Sequence, residues 1–340
     1  ITAIDRDTKV NVSFNLTDLK ADGELYADFG TEYVCSFTDS ENGSVFIPSS
    51  MKDITVTVGG ADKTGEAYLD NNCRLHIPGR IITGDIVISA HEVGTEKTEN
   101  SVVSVDISGY QRTHYFDSLQ DAQRAVSSKF NKTVTFLSAP DWEDVCFTVD
   151  SYNTTFNLNG NNILHSNTFL QIGQDASVTI NGNGGTIYSG SGYCIKSSGN
   201  LTVNDTSLHA VGKDENGESF NLNAVLANGG EIYINCADGN TVIDGVTLTN
   251  GAALTMENGH IAYELIVGSN CRVKLMAGIV SKLVREENAP NYLDIVPEGR
   301  AIQVSDSGAF DALLDGSYSS SFTVVSADGI LIKEPQDMKV

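Results

Sequence analysis

The sequence predicts an all-β protein, a small β-sandwich followed by a right-handed parallel β-helix that opens on a capping helix. Three observations carry this expectation. The first ninety residues alternate apolar and polar side chains with period two, the mark of half-buried strands. A motif of two apolar residues around one other residue, closed by an Asn or Gly turn, recurs from residue 156 to residue 278. Between these regions lies one segment with helical rather than strand periodicity. At 340 residues the chain exceeds the usual size of one hydrophobic core, so more than one domain is expected.

In the first part the alternating runs are Val10, Val12, Phe14 and Leu16; Tyr33, Cys35 and Phe37; Ile54, Val56 and Val58; Leu75 and Ile77; and Ile86 and Ile88. They are separated by Asp22-Gly23, Asn42-Gly43, Gly59-Gly60, Asn71-Asn72 and Gly84-Asp85, pairs that form tight turns. Short strands at this spacing predict an Ig-like β-sandwich over residues 1–93. The runs Ile54-Thr-Val-Thr-Val-Gly-Gly-Ala-Asp62 and Ile82-Thr-Gly-Asp-Ile-Val-Ile-Ser-Ala90 resemble a repeat domain of large surface proteins of Gram-positive bacteria. That resemblance covers roughly residues 8 to 92 and implies a spacer or display module.

Residues 94–113 read as a linker ending in a strand around Val102, Val103, Val105 and Ile107. Ser118 and Asp121 form a capping-box pattern, and Leu119, Ala122, Val126 and Phe130 follow at helical spacing, so a helix is expected over 118–130. An open solenoid end exposes unpaired backbone, and this helix is the expected cover of the first coil.

The repeat is Phe156-Asn-Leu-Asn-Gly160, Val178-Thr-Ile-Asn-Gly182, Leu201-Thr-Val-Asn-Asp205, Ile232-Tyr-Ile-Asn-Cys236, Leu254-Thr-Met-Glu-Asn-Gly259 and Val273-Lys-Leu-Met-Ala-Gly278. Their first residues stand 22, 23, 31, 22 and 19 positions apart. A period near 22 with several strands per unit is what stacked coils require. The succession Tyr115-Phe-Asp-Ser-Leu-Gln-Asp-Ala122, Thr133-Val-Thr-Phe-Leu137 and Phe156-Asn-Leu-Asn-Gly160 is similar to the opening of pectate-lyase-like β-helices in bacterial adhesins. The β-helix is expected over 114–288. A C-terminal cap of strands is expected over 289–340, with Ala309 to Leu314 as a short helix or turn.

The charge excludes several partners. Acidic residues outnumber basic ones by 44 to 21, giving a formal charge of -23, and no Lys or Arg occurs between Thr133 and Ile195. Nucleic acid is not an expected partner, and anionic membranes or pectate-like polymers would be repelled unless cations intervene. No run of about 18 apolar residues is present, so no membrane insertion is expected. The chain begins at Ile1 without a basic and apolar leader, and the expectation is a mature extracellular segment, secreted or attached to the cell wall through regions outside it.

Six Cys lack CxxC spacing, which disfavours zinc. Cys35 and Cys73 fall on alternating positions that face one core and are read as buried thiols, with a disulfide between them as the alternative. The six His show neither HxH nor HExxH spacing and are expected at the surface or in turns, so no metal and no cofactor is expected.

The resemblance to pectate-lyase-like proteins implies fold rather than activity. The Asn-x-Asp, Asp-Asp and Gly-His-Gly motifs of related hydrolases are absent; Arg272-Val-Lys274 matches their Arg-x-Lys spacing alone, and between Asp141 and Pro290 the only Arg are Arg272 and Arg285. No catalytic residue is therefore assigned. Two candidate binding places remain. Asp141, Glu143 and Asp144 flank Trp142, the only Trp, as an acidic sugar-stacking patch, with a solvated turn as the plainer reading. The insertion at residues 211–219 accounts for the long interval between repeats, and its Asp214, Asn216 and Glu218 are placed to make contacts. As a calcium loop it lacks Gly at position six and Glu at position twelve, so it is read as a projecting acidic loop.

The resulting expectation is a non-catalytic adhesive segment that binds a host glycan, glycoprotein or immunoglobulin. The alternatives are a polysaccharide-active β-helix enzyme, either lyase or glycoside hydrolase, and a phage tail or spike component.

Overall fold

The structure is a computed structural model that describes residues 9–10, 12–17, 33–34, 43–46, 51–69, 74–78, 81, 84–92, 94, 96–108, 113–127, 131–141, 144–213, 219–237, 241–290, 295–304 and 321–326. The chain divides into two compact units, Ile1–Val134 and Thr135–Val340. Cys35, Cys73, Phe130 and residues 309–314 lie outside the described residues.

In the first unit the alternating segments form small sheets. A four-stranded sheet runs in the order Val12–Thr17, Ile86–Glu92, Met51–Val58, Ala61–Asp62, its first pair parallel and the others antiparallel. A three-stranded antiparallel sheet joins Gly43–Phe46, Arg74–Ile77 and Tyr68–Leu69. Val56, Val58, Leu75, Ile77, Ile86 and Ile88 are buried, as their alternation predicts. Gly59 and Gly60 turn the chain at φ 56° and 83°, a backbone region open to glycine.

Later in the same unit, Val103–Ile107 pairs antiparallel with Thr113–Phe116, and the helix Leu119–Ser127 packs on this pair. Ser118 caps it: its Oγ accepts from the Asp121 N–H at 3.1 Å and donates to Asp121 Oδ2 at 3.0 Å. Leu119, Ala122, Ala125 and Val126 form its buried stripe.

The second unit is a right-handed β-solenoid of about six turns. Three parallel faces build it. On the first, residues 147–149, 170–172, 195–197, 225–227, 246–248, 265–267 and 283–285 stand in register. On the second, residues 154–157 pair with 178–181, 201–204, 232–235, 254–256 and 273–275. The third runs from Asn162–His165 through Thr186–Ser189 to Ser207–Lys213, then through single partners Leu208, Ile243, Ile261 and Val280.

Each face turns alternate side chains inward, so that inner columns of aliphatic and aromatic groups run along it. The second face stacks Phe156, Ile180, Val203, Ile234, Met256 and Leu275, and the third stacks Ile163, Ile187, Leu208, Ile243, Ile261 and Val280, all buried. Burying a side chain of this size contributes roughly 2 kcal/mol, so the columns supply the main stabilising term. The first coils are aromatic instead: Phe136, Phe147, Phe156 and Phe169 interlock, with Phe147 edge-on to Phe169 at 5.4 Å between centroids.

One register expectation is corrected. The sequence motif aligns Phe156 with Val178, whereas the structure pairs Phe156 with Ile180 and Thr154 with Val178. A slip of two residues leaves every side chain on the same face, so the apolar pattern cannot detect it. The asparagines decide it. Asn181 Nδ2 donates to Asn157 Oδ1 at 3.0 Å, and Asn204 Nδ2 donates to Asn181 Oδ1 at 2.9 Å. Asn181→Ala removes both ladder bonds and is expected to cost about 2 kcal/mol by denaturant titration. The neighbouring Thr179→Ala on the outer side should change stability by less than about 0.5 kcal/mol.

Beyond the coils, Gly278–Val280 pairs antiparallel with Phe322–Ser326, which pairs antiparallel with Arg300–Val304. Among the described residues no helix is long and apolar enough to cross a membrane.

Candidate functional site

The residues singled out by sequence fall in two places. Asp141 and Asp144 are exposed ahead of the strand Phe147–Asn157, while Trp142 and Glu143 lie outside the described residues. Asp214, Asn216 and Glu218 also lie outside them. The strands on either side of these three residues pair antiparallel, Val211 with Asn221 and Lys213 with Ser219.

The structure brings together a set that the sequence did not indicate. On the outer side of the third face, Leu164, Tyr188 and His209 occupy one register column, and the pairing of Leu208 with Ile243 puts Asp244 next in line. The Tyr188 and His209 rings stack with centroids 5.2 Å apart and planes 24° from parallel. His209 Nδ1 donates to Asp244 Oδ1 at 2.9 Å, and the other carboxylate oxygen accepts the Ala210 N–H at 2.8 Å. Asp244 is buried, and His209 keeps 30% of its side chain exposed. Because Nδ1 carries the proton, Nε2 of the neutral ring is an acceptor.

Two members of the column are exposed apolar side chains. Leu164 and Tyr188 are 40% and 37% exposed, and Phe220, on the strand Ser219–Asn221, is 47% exposed. Phe220 lies against Gly212, its register partner, where a Cβ would meet the ring at 2.6 Å. Glycine is required at that position for the ring to lie flat on its partner strand.

Behind the column, Cys194 Sγ donates to the His209 carbonyl at 3.1 Å. Burial pushes its thiol pKa well up, and Cys146 is raised by the same cause, partly opposed by a hydrogen bond from Gln171. Native Cys194 should therefore resist alkylation by iodoacetamide at pH 8 and react only on unfolding, as peptide mass mapping would show. Labelling of native Cys194 as fast as that of the unfolded chain would contradict its placement.

Two histidines correct the expectation of surface positions. His114 and His165 are buried. His165 Nε2 donates to the Val145 carbonyl at 2.8 Å and Nδ1 accepts the Asn167 N–H at 3.2 Å, so the imidazole is paired on both sides and burial is inexpensive. Among the described residues no group of three or more His, Cys, Asp or Glu could hold a metal ion.

The second face presents a different surface. Its outer column reads Thr155, Thr179, Thr202, Tyr233, Thr255 and Lys274. The outer column beside it holds Asn153, Ser177, Asn200, Glu231, Ala253 and Arg272, with Asn200 Oδ1 accepting the Glu231 N–H at 3.2 Å. Hydroxyl and amide groups thus repeat at the strand spacing of about 4.8 Å, with Glu231 the one carboxylate in the two columns. His209 and Asp244, 35 residues apart, carry no local motif that would have linked them. Comparison with protein-family models, curated proteins and solved structures found no match to this chain.

Proposed function

We propose that this chain is a non-catalytic adhesive segment of a bacterial surface protein, acting outside the cell, whose solenoid binds a neutral glycan carried by a host glycoprotein. The observation that carries the reading is the pair of outer columns on the second face. Over five coils they repeat hydroxyl and amide groups on a rigid lattice, ending on Lys274 and Arg272 in the sixth, and they hold a single carboxylate, Glu231, in a chain of formal charge -23. Such a surface offers hydrogen bonds to a polymer of neutral sugars, and the surrounding field disfavours polyanions. Rigid donors and acceptors lose little entropy on binding, and a solenoid extends the contact simply by adding coils. Within this proposal residues 1–93 serve as an Ig-like display module.

A second reading, a polysaccharide-active enzyme, is favoured by one observation: a buried carboxylate orienting an exposed imidazole is the arrangement of a general base. The test is a screen of the full chain on arrays of neutral, sialylated and uronate-containing glycans and of host proteins including immunoglobulin, with a parallel assay for released reducing or unsaturated sugars. Saturable binding to neutral glycans without product supports the adhesive reading. Sugar release would replace it with the enzyme, and binding only to deglycosylated protein or immunoglobulin would replace the glycan.

A further inference from the structure

We infer that the outer column Leu164, Tyr188, His209 and Asp244 is a sugar-binding subsite that seats one neutral pyranose unit. This deepens the proposed function and rests on its glycan reading. Folding does not account for the cluster. The solenoid buries Phe136, Phe147, Phe156 and Phe169 completely, yet leaves the register neighbours Leu164 and Tyr188 more than a third exposed. Large apolar groups gathered at a surface mark a contact.

The polar half of the cluster is aimed. A buried carboxylate is costly, and here Asp244 spends its two oxygens on the Ala210 N–H and on His209 Nδ1. Its effect is to fix one imidazole tautomer, as outer partners of functional histidines do. Stacking on Tyr188 fixes the ring plane as well. Nε2 therefore stands as an acceptor of set direction, one strand from a phenol that both donates and accepts.

The combination selects the ligand class. An acidic group would face Asp244 and the net charge of -23. A metal ion would find one imidazole nitrogen and no third ligand among the described residues. The cysteine behind the column, Cys194, is wholly buried and offers no nucleophile at the surface. A neutral pyranose matches what remains: a C–H face lies on Leu164, and its hydroxyls donate to His209 Nε2 and bond to the Tyr188 phenol. Asp244 is a positioning residue; His209 and Tyr188 make the contacts.

The test uses the full chain against the neutral array glycan that binds best, with affinities from calorimetry. His209→Ala should weaken binding about tenfold or more, and Tyr188→Phe, which deletes only the hydroxyl, about three- to tenfold. Tyr152→Ala, an exposed tyrosine outside the column, should leave affinity unchanged. In wild type, ring 15N shifts of His209 should report a protonated Nδ1, and Asp244→Asn should shift the tautomer toward Nε2–H while weakening binding. Circular dichroism verifies that each variant is folded. Neutral-glycan binding that survives His209→Ala and Tyr188→Phe in folded protein overturns the subsite and leaves the adhesive reading standing. A wild-type chain that binds no neutral glycan overturns both.

Discussion

Gly230→Ala is expected to destabilise the solenoid by about 4 kcal/mol, while Gly184→Ala, at a similar backbone conformation, costs only about 1 kcal/mol. Both glycines hold a positive φ, 70° at Gly230 and 83° at Gly184, so both substitutions pay the same conformational penalty. They differ in what lies alongside. A Cβ on Gly184 meets nothing within 4 Å, whereas one on Gly230 would fall on the carbonyl of Gly199, with its carbon at 2.6 Å and the Ser198 oxygen at 2.9 Å. These are backbone atoms of the preceding coil and cannot rotate away, so the coils would have to separate locally. Guanidinium titration of the two variants measures the difference. Equal losses would mean that residues 198–199 do not lie under Gly230, and the coil stacking would be wrong at that point.

Phe169→Ala should be the most damaging large-to-small change in the early coils, at about 4 kcal/mol. Phe169 is wholly buried and touches three other phenylalanine rings, with centroids 5.4 Å to Phe147, 6.1 Å to Phe156 and 6.4 Å to Phe136, and it meets the His165 ring at 5.9 Å. Four aromatic neighbours held by three strands cannot collapse together into the space left, so the cavity term is retained in full. The exposed Tyr152, 50% accessible, supplies the contrast: Tyr152→Ala should stay within about 0.5 kcal/mol of wild type. A Phe169→Ala loss below about 1 kcal/mol, read from the same titration, would show that the cluster is not closed around this ring.

Much of the architecture was legible in the chain. The Asn and Gly punctuation after Ile180 and Val203 marks coil corners, and the capping pair Ser118 and Asp121 marks the helix start that forms. What the periodic signal could not supply was phase between coils. Phe156 and Val178 look equivalent because any even offset keeps inward residues inward, and only the side-chain ladder through Asn157, Asn181 and Asn204 selects the register. The buried His165 shows the same limit, since its partners, the Val145 carbonyl and the Asn167 amide, come from backbone that no side-chain pattern reports.

The candidate site was harder still. His209 and Asp244 sit in separate repeats on either side of an insertion, and each alone reads as an ordinary outward polar residue following an aliphatic one. The patch around Trp142 was chosen because its residues are neighbours in sequence. Of that group, the described members Asp141 and Asp144 are simply exposed.

By itself the sequence determined that the chain is predominantly β and that its second part winds as a repeating coil, and its charge carries the expectation that anionic partners are disfavoured. These follow from local quantities: side-chain alternation, turn propensity and net charge. Only the tertiary structure decided which residues share a column, and therefore that Tyr188 stacks on His209 and Asp244 fixes its proton. Contacts between coils depend on the summed length of every turn and insertion between them, and that sum is settled only when the whole stack closes.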